Sequence, residues 1–173
     1  AGRGERVGVL ACDPESPVTG GALLGDRCRI AGDAAADRVF VRSLPTPSGH
    51  EAVAPNIELM LSVMKSFGFD RIFIETVGAG QTDTAIRRVA DTVVLVVQPQ
   101  TGDELQWEKA GILEIANVVV VNKSDLPGAD QTVTDLNHQL QTRQPAIPVV
   151  KTSVSRQQGI DVFCQTLDSI PKE

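Results

Sequence analysis

Residues 118–125 read Val-Val-Val-Val-Asn-Lys-Ser-Asp, and no other stretch restricts the fold as strongly. Four consecutive valines show no polar alternation, which suits a strand buried on both faces of a parallel sheet. The run stops in Asn122-Lys123-Ser124-Asp125, at the carboxyl edge where doubly wound sheets bind their ligands. The chemistry of that edge suits guanine. The Asp125 carboxylate can accept two hydrogen bonds, one from the guanine N1–H and one from the 2-amino group, whereas adenine presents a different donor pattern. Asn122 can bind the base edge and tie loops together, and the Lys123 stem can lie over the purine face.

The rest of the chain alternates strands with helices. Strands are expected at Arg6–Cys12, Val39–Arg42, Arg71–Ile74, Thr92–Val97 and Ile147–Val150, besides the valine run. Helices are expected at Ala54–Phe67, Thr84–Val89, Asp103–Ala116, Val133–Gln141 and Ile160–Ser169. Ile57, Met60, Leu61, Met64 and Phe67 share one stripe of the first helix, with Gly68 placed as its C-terminal cap. Leu105, Ile112 and Ala116 are expected to face inward on the third, and Val133, Leu136 and Leu140 on the fourth. Glu15–Asp33 is glycine-rich and reads as a loop with a helical patch. Pro45, Pro47 and Gly49 mark a second loop. This order implies the α/β class, a three-layer α/β/α sandwich with a mostly parallel sheet, in one domain spanning the 173 residues.

Composition narrows the partners. A net charge of −6 supplies no basic stripe for nucleic acid or an anionic membrane. Aromatic residues make up only 3 % of the chain, so Val, Ile, Leu and Ala must build the core. Cys12, Cys28 and Cys164 form no CxxC, and Cys12 in its apolar run reads as a reduced core thiol. No apolar segment has transmembrane length and no signal-peptide pattern is present, so a cytoplasmic location, or the mitochondrial matrix in a eukaryote, is expected. The first residue is Ala rather than Met, which fits a trimmed start.

Every strand-to-helix loop in such a sheet is expected to open on one edge, and four of those loops carry suggestive residues. Asp13, Asp26 and Glu75 are hard oxygen donors suited to Mg²⁺ directly or through water. Asp13 is equally readable as a strand-ending or helix-capping residue, and Asp26 as a solvated loop acid. Glu75 caps an apolar strand and needs a partner there. Gly78 permits close backbone approach, so its N–H can donate to a terminal phosphate. Gln81 either orients a water or is simply a polar loop residue. Thr152-Ser153-Val154 follows a strand, and the Ser153 and Val154 backbone N–H groups are candidates for the guanine O6. A phosphate-binding loop of the form G-x-x-x-x-G-K-[ST] is absent: none of Lys65, Lys109, Lys123, Lys151 and Lys172 follows a glycine.

Several stretches together resemble a known family, the MeaB-like GTPases that act as chaperones for the B12-dependent methylmalonyl-CoA mutase, also labelled lysine/arginine/ornithine transport ATPases. They are Val9–Ser16, Thr19–Arg27, Phe69-Asp70, Glu75–Gln81, Thr101–Gln106 and Ile115–Val118 leading into Asn122–Asp125. Glu75-Thr76-Val77-Gly78 with Gln81 discriminates most, since most small GTPases would place Asp at Glu75. The resemblance implies a P-loop NTPase of the type shared with signal-recognition and metallochaperone GTPases (a SIMIBI-type G domain), binding GTP or GDP with Mg²⁺. It implies magnesium and switch roles for Asp13, Asp26 and Glu75, a γ-phosphate contact at Gly78, and guanine binding by Asn122, Lys123 and Asp125. Thr101–Gly111 resembles a third switch that relays nucleotide state to the mutase, with Lys109 matching its lysine. Glu75, Gln81 and Lys109 are thus the catalytic candidates. The implied partner is a cobalamin-dependent acyl-CoA mutase, and the full-length family protein is implied to be a homodimer. Against the family pattern the domain is expected to be incomplete, lacking the P-loop strand and helix before Ala1 and the dimerisation arm after Glu173.

Two other function classes fit parts of the chain. A nickel metallochaperone GTPase of similar fold would carry His/Cys clusters near its switches, which Cys28 alone does not supply. A non-hydrolysing interaction module would keep the guanine loop and a partner surface. Trp107 lies about 200° around the helix from Leu105, opposite the apolar stripe, and is expected to face a partner. His50 and His138 have no metal-ligand spacing around them. Arg27 and Arg29 suit phosphate contacts and surface ion pairs alike.

Overall fold

The computed structural model describes residues 4–14, 38–46, 53–76, 84–99 and 110–171. The chain divides into two compact units, Ala1–Val89 and Ala90–Glu173, each with its own parallel sheet.

In the first unit, β1 (Val7–Pro14), β2 (Val39–Thr46) and β3 (Arg71–Thr76) pair in the order β2-β1-β3, with α1 (Ile57–Ser66) between β2 and β3 and α2 (Thr84–Val89) after β3. All the pairing is parallel, and Leu10 lies between Arg42 and Ile74 in register. Side chains alternate across a strand, so Leu10 and Cys12 fall on one face. They bury there with Val53, Ala54, Ile57, Leu61 and Met64 from the segment carrying α1. Gly8 shares that face, and a Cβ on it would stand 2.0 Å from Met64 Cε. The missing side chain is what lets Met64 lie against the strand.

Helix α1 ends as its sequence dictates. Gly68 takes φ 76, its N–H donates to Lys65 O at 3.0 Å, and the Phe69 N–H donates to Met64 O at 3.2 Å. This is the paired glycine-terminated cap in which the residue after glycine folds back on the helix. It also corrects one expectation. Phe67 is 68 % exposed rather than part of the inward stripe, and Phe69 packs against the core instead.

The second unit holds β4 (Val94–Val97), α3 (Ala110–Ile115), β5 (Val118–Val121), α4 (Ala129–Leu140), β6 (Val149–Lys151) and α5 (Ile160–Ser169). Its strands run parallel in the order β4-β5-β6. All four valines of β5 are buried. Val119 and Val121 pack with Leu95, Val97, Ala116, Leu136 and Leu140, while Val118 and Val120 pack with Val150, Phe163, Leu167 and Ile170. Apolar cover on both faces removes any reason for polar alternation. Burying one such side chain contributes about 1.5–3 kcal/mol, so the four together anchor the unit.

Element types match the sequence expectations, and several boundaries move. Strand β2 extends to Thr46 through Pro45, and an edge strand tolerates the missing N–H. Helix α4 starts at Ala129, four residues before Val133, because Ala129 and Thr132 bury one turn ahead of the apolar stripe. Of the helix expected at Asp103–Ala116, residues 110–116 fall within the described residues, and of these Ala110–Ile115 is helical. No helix among them is long and apolar enough to cross a membrane.

Candidate functional site

The valine strand delivers its loop by continuing the sheet's hydrogen bonding past its end. The Asn122 N–H donates to Val97 O at 2.9 Å, the Thr152 N–H to Val121 O at 2.9 Å, and the Ser124 N–H to Thr152 O at 2.9 Å. The loops after β5 and β6 are thereby stitched together at the carboxyl edge of the sheet. Between them Lys123 takes φ 56, a left-handed conformation uncommon outside glycine. Its carbonyl accepts from the Leu126 N–H at 2.9 Å, turning the chain toward α4. Lys123 itself is exposed.

Side chains reinforce the stitching. The Thr152 hydroxyl donates to Asn122 Oδ1 at 3.2 Å, so Asn122 ties the two loops as its position suggested. The Ser153 hydroxyl donates to Asp125 Oδ1 at 2.5 Å, and Ser153 is completely buried. Its Oγ also lies 3.2 Å from that of Ser155. On the other carboxylate oxygen, Arg156 Nε stands 3.8 Å from Asp125 Oδ2. The Ser153 hydrogen bond and then the Asp125 backbone N–H hold the Asp125 carboxyl below its ordinary range; desolvation by burial opposes them, and the Arg156 charge adds the smallest lowering influence. The result is an ionised carboxylate with 17 % of its side chain exposed, a fixed acceptor pair at the rim of the sheet. That acceptor pair fits a guanine edge, which offers two adjacent N–H donors.

Val154 is 67 % exposed, and its carbonyl accepts from the Gln157 N–H at 3.2 Å. Gly159 ends this turn at φ 74, and a Cβ there would meet Lys151 O at 2.0 Å. The close approach requires glycine and sets where α5 departs. Arg156 and Gly159 were not singled out from the sequence. Gly159, directly before an apolar-periodic stretch, was the available signal.

In the first unit, Glu75 lies in β3, one residue before its end, in register with Ala11. Asp13 lies in β1 in register with Pro45, and only its backbone is described. Asp26, Gly78, Gln81, Lys109 and Trp107 lie outside the described residues. Among those described, no group of three or more His, Cys, Asp and Glu side chains is placed to hold a metal. Of the set Asp13, Asp26 and Glu75, only the Glu75 side chain belongs to the described residues.

Comparison with known proteins extends the reading. The model of the methylmalonyl-CoA mutase-associated GTPase family MeaB matches residues 1–171. The chain is 42 % identical to the GTPase ArgK of Escherichia coli over 124 residues, covering 70 % of this chain and 37 % of that protein. It is 32 % identical over 173 residues to the mitochondrial methylmalonic aciduria type A homolog of Caenorhabditis briggsae, covering 95 % of this chain and 42 % of that one. The chain spans about half the length, or less, of these curated relatives. Among solved structures, a LAO/AO transport system kinase superposes with a TM-score of 0.66 at 23 % identity, over 96 % of this chain and 49 % of that one. HypB from Helicobacter pylori, in complex with nickel, gives 0.69 at 17 % identity, over 94 % and 73 %. These two likenesses establish the fold, the α/β architecture of P-loop GTPases with a parallel sheet.

Proposed function

The chain belongs to the methylmalonyl-CoA mutase-associated GTPase family, and from that premise we propose that it is a guanine-nucleotide switch serving a cobalamin-dependent acyl-CoA mutase. One observation carries the nucleotide half of this reading. Asp125, fixed by the buried Ser153 hydroxyl and braced beside the Asn122–Thr152 bond, is an ionised two-oxygen acceptor at a sheet edge. Asn122, Lys123 and Asp125 bind the base in this proposal, with the Val154 N–H beside them. The Ser153 N–H, expected at guanine O6, is instead taken by Gln158 O, and Ser153 serves through its hydroxyl on Asp125. Gly78 contacts the terminal phosphate, and Asp13, Asp26 and Glu75 hold Mg²⁺ directly or through water. Mg²⁺ when bound would neutralise charge developing on the phosphates. Glu75, Gln81 and Lys109 take the catalytic and switch roles in GTP hydrolysis. Both units belong to one G domain on this reading, the protein works in the cytoplasm or the mitochondrial matrix, and its full-length form is a homodimer.

Calorimetric titration with GDP, GTP and ATP in the presence of Mg²⁺ tests the reading. GDP and GTP are expected to bind and ATP not to. Asp125→Asn should weaken GDP at least about tenfold, the size of one lost charge-assisted hydrogen bond. It should favour xanthosine diphosphate, whose 2-oxo group accepts where guanine donates. Glu75→Gln should weaken GTP with Mg²⁺ more than GDP. Equal binding of ATP and GTP, or an Asp125→Asn protein with unchanged base preference, would refute the guanine assignment.

A further inference from the structure

Residues 153–158 form a closed turn. The Ser153 N–H donates to Gln158 O at 3.0 Å, and the Gln158 N–H donates back to Ser153 O at 3.0 Å. The Gln157 N–H to Val154 O bond closes the inner loop. Gln157 sits at φ 54, a conformation that costs a residue with a Cβ and persists only where its surroundings enforce it. The turn therefore carries Ser153 at its base and Arg156 near its tip as one unit. Both reach the same carboxylate from different sides, Ser153 at Oδ1 and Arg156 at Oδ2.

We propose that Arg156 is a positioning residue for base recognition, its guanidinium holding the Asp125 carboxylate in the rotamer that presents both oxygens to the guanine edge. The proposal rests on the guanine reading of Asp125 and adds a residue to it. Two features support a brace rather than a plug. At 3.8 Å the Arg156–Asp125 contact is ionic, longer than a hydrogen bond, so the Oδ2 lone pairs stay available to the base. The Arg156 side chain is 64 % exposed, so it can shift as the base arrives without leaving a buried charge unpaired. Ser153 fixes one oxygen by a directional bond, and Arg156 fixes the other by charge.

The test is GDP and GTP affinity of Arg156→Ala and Arg156→Lys at low and high ionic strength. Arg156→Ala should weaken both nucleotides by the same factor, about two- to fivefold at low salt, the size expected of an exposed ion pair. The loss should fade near 1 M salt, where the screening length is about 3 Å. Arg156→Lys, which keeps the charge, should recover most of the affinity. In an Asp125→Asn background, probed with xanthosine diphosphate, adding Arg156→Ala should change nothing, because the carboxylate it acts through is gone. Unchanged or tighter GDP binding by Arg156→Ala overturns the proposal, as does an equal loss in the Asp125→Asn background. Should the unsubstituted protein take no GDP, the guanine reading falls and this proposal with it. If it binds GDP and Arg156→Ala binds equally well, only the role of Arg156 falls.

Discussion

At the scale of single residues the proposed base-recognition loop is a matter of which groups hold Asp125. The Ser153 hydroxyl is the largest influence holding its carboxyl below the ordinary value of 3.8. A folded-state pKa depressed below the unfolded one stabilises the fold above the unfolded value, and that contribution is lost as pH falls through the folded one. Ser153→Ala should therefore be less stable than the parent at neutral pH. The gap should narrow as pH drops below about 4, where the unfolded carboxyl takes up its proton. Denaturant unfolding across that range measures it, and a gap that stays constant would show that the hydroxyl does not act through the carboxylate. The Asn-Lys-x-Asp signal was legible in the sequence because the strand end and the residues proposed to bind the base are contiguous there. The Ser153–Asp125 and Thr152–Asn122 bonds join residues 28 and 30 positions apart. They exist only once β6 pairs beside β5, so Thr-Ser-Val by itself carried little. Arg156 lay within a Ser-Arg-Gln-Gln stretch that reads as an ordinary polar turn.

Among the elements, two glycines at helix starts separate the cost of backbone conformation from the cost of contact. Gly128 precedes α4 at φ 89 with nothing within 4 Å of a would-be Cβ, and Gly159 precedes α5 at φ 74 with Lys151 O at 2.0 Å. Gly128→Ala should cost about 1–2 kcal/mol, the left-handed penalty alone. Gly159→Ala should cost clearly more, because the obstructing atom is backbone and the end of β6 must move. Since β6 leads directly into Thr152 and Ser153, Gly159→Ala should also weaken GDP, whereas Gly128→Ala should not. Equal stability losses in chemical denaturation would contradict the close contact. The same elements show what periodicity can and cannot locate. The buried valine strand and the core stripe of α1 were legible because burial on a repeating face writes itself into the sequence. The start of α4 was displaced because Ala129 and Thr132 bury without looking hydrophobic, and Phe67 was misplaced because the helical stripe continues on paper beyond Ser66, where α1 ends and Phe67 becomes the cap residue before Gly68.

For the molecule as a whole, family membership raises a question that neither unit answers by itself: whether nucleotide state reaches a partner. A switch works only if the partner prefers one nucleotide state, and a ligand shifts an equilibrium no further than its differential affinity allows. Linkage then makes the effect reciprocal. If GTP in place of GDP changes the affinity for a cobalamin-dependent acyl-CoA mutase by some factor, the mutase must change the GTP-over-GDP preference by that same factor, commonly about 5–150-fold in coupled systems. Co-elution of protein and mutase in GDP and in a non-hydrolysed GTP analogue measures one side of this cycle, and nucleotide titration with and without mutase measures the other. Equal factors greater than one are the expected outcome. Binding to the mutase that ignores the nucleotide would leave a scaffold rather than a switch, and no binding in either state would remove the mutase as partner while leaving the guanine loop intact. The two halves of the proposal therefore fail separately: the base assignment rests on Asp125 and its neighbours, and the partner assignment rests on a coupling that has to appear on both sides of one cycle.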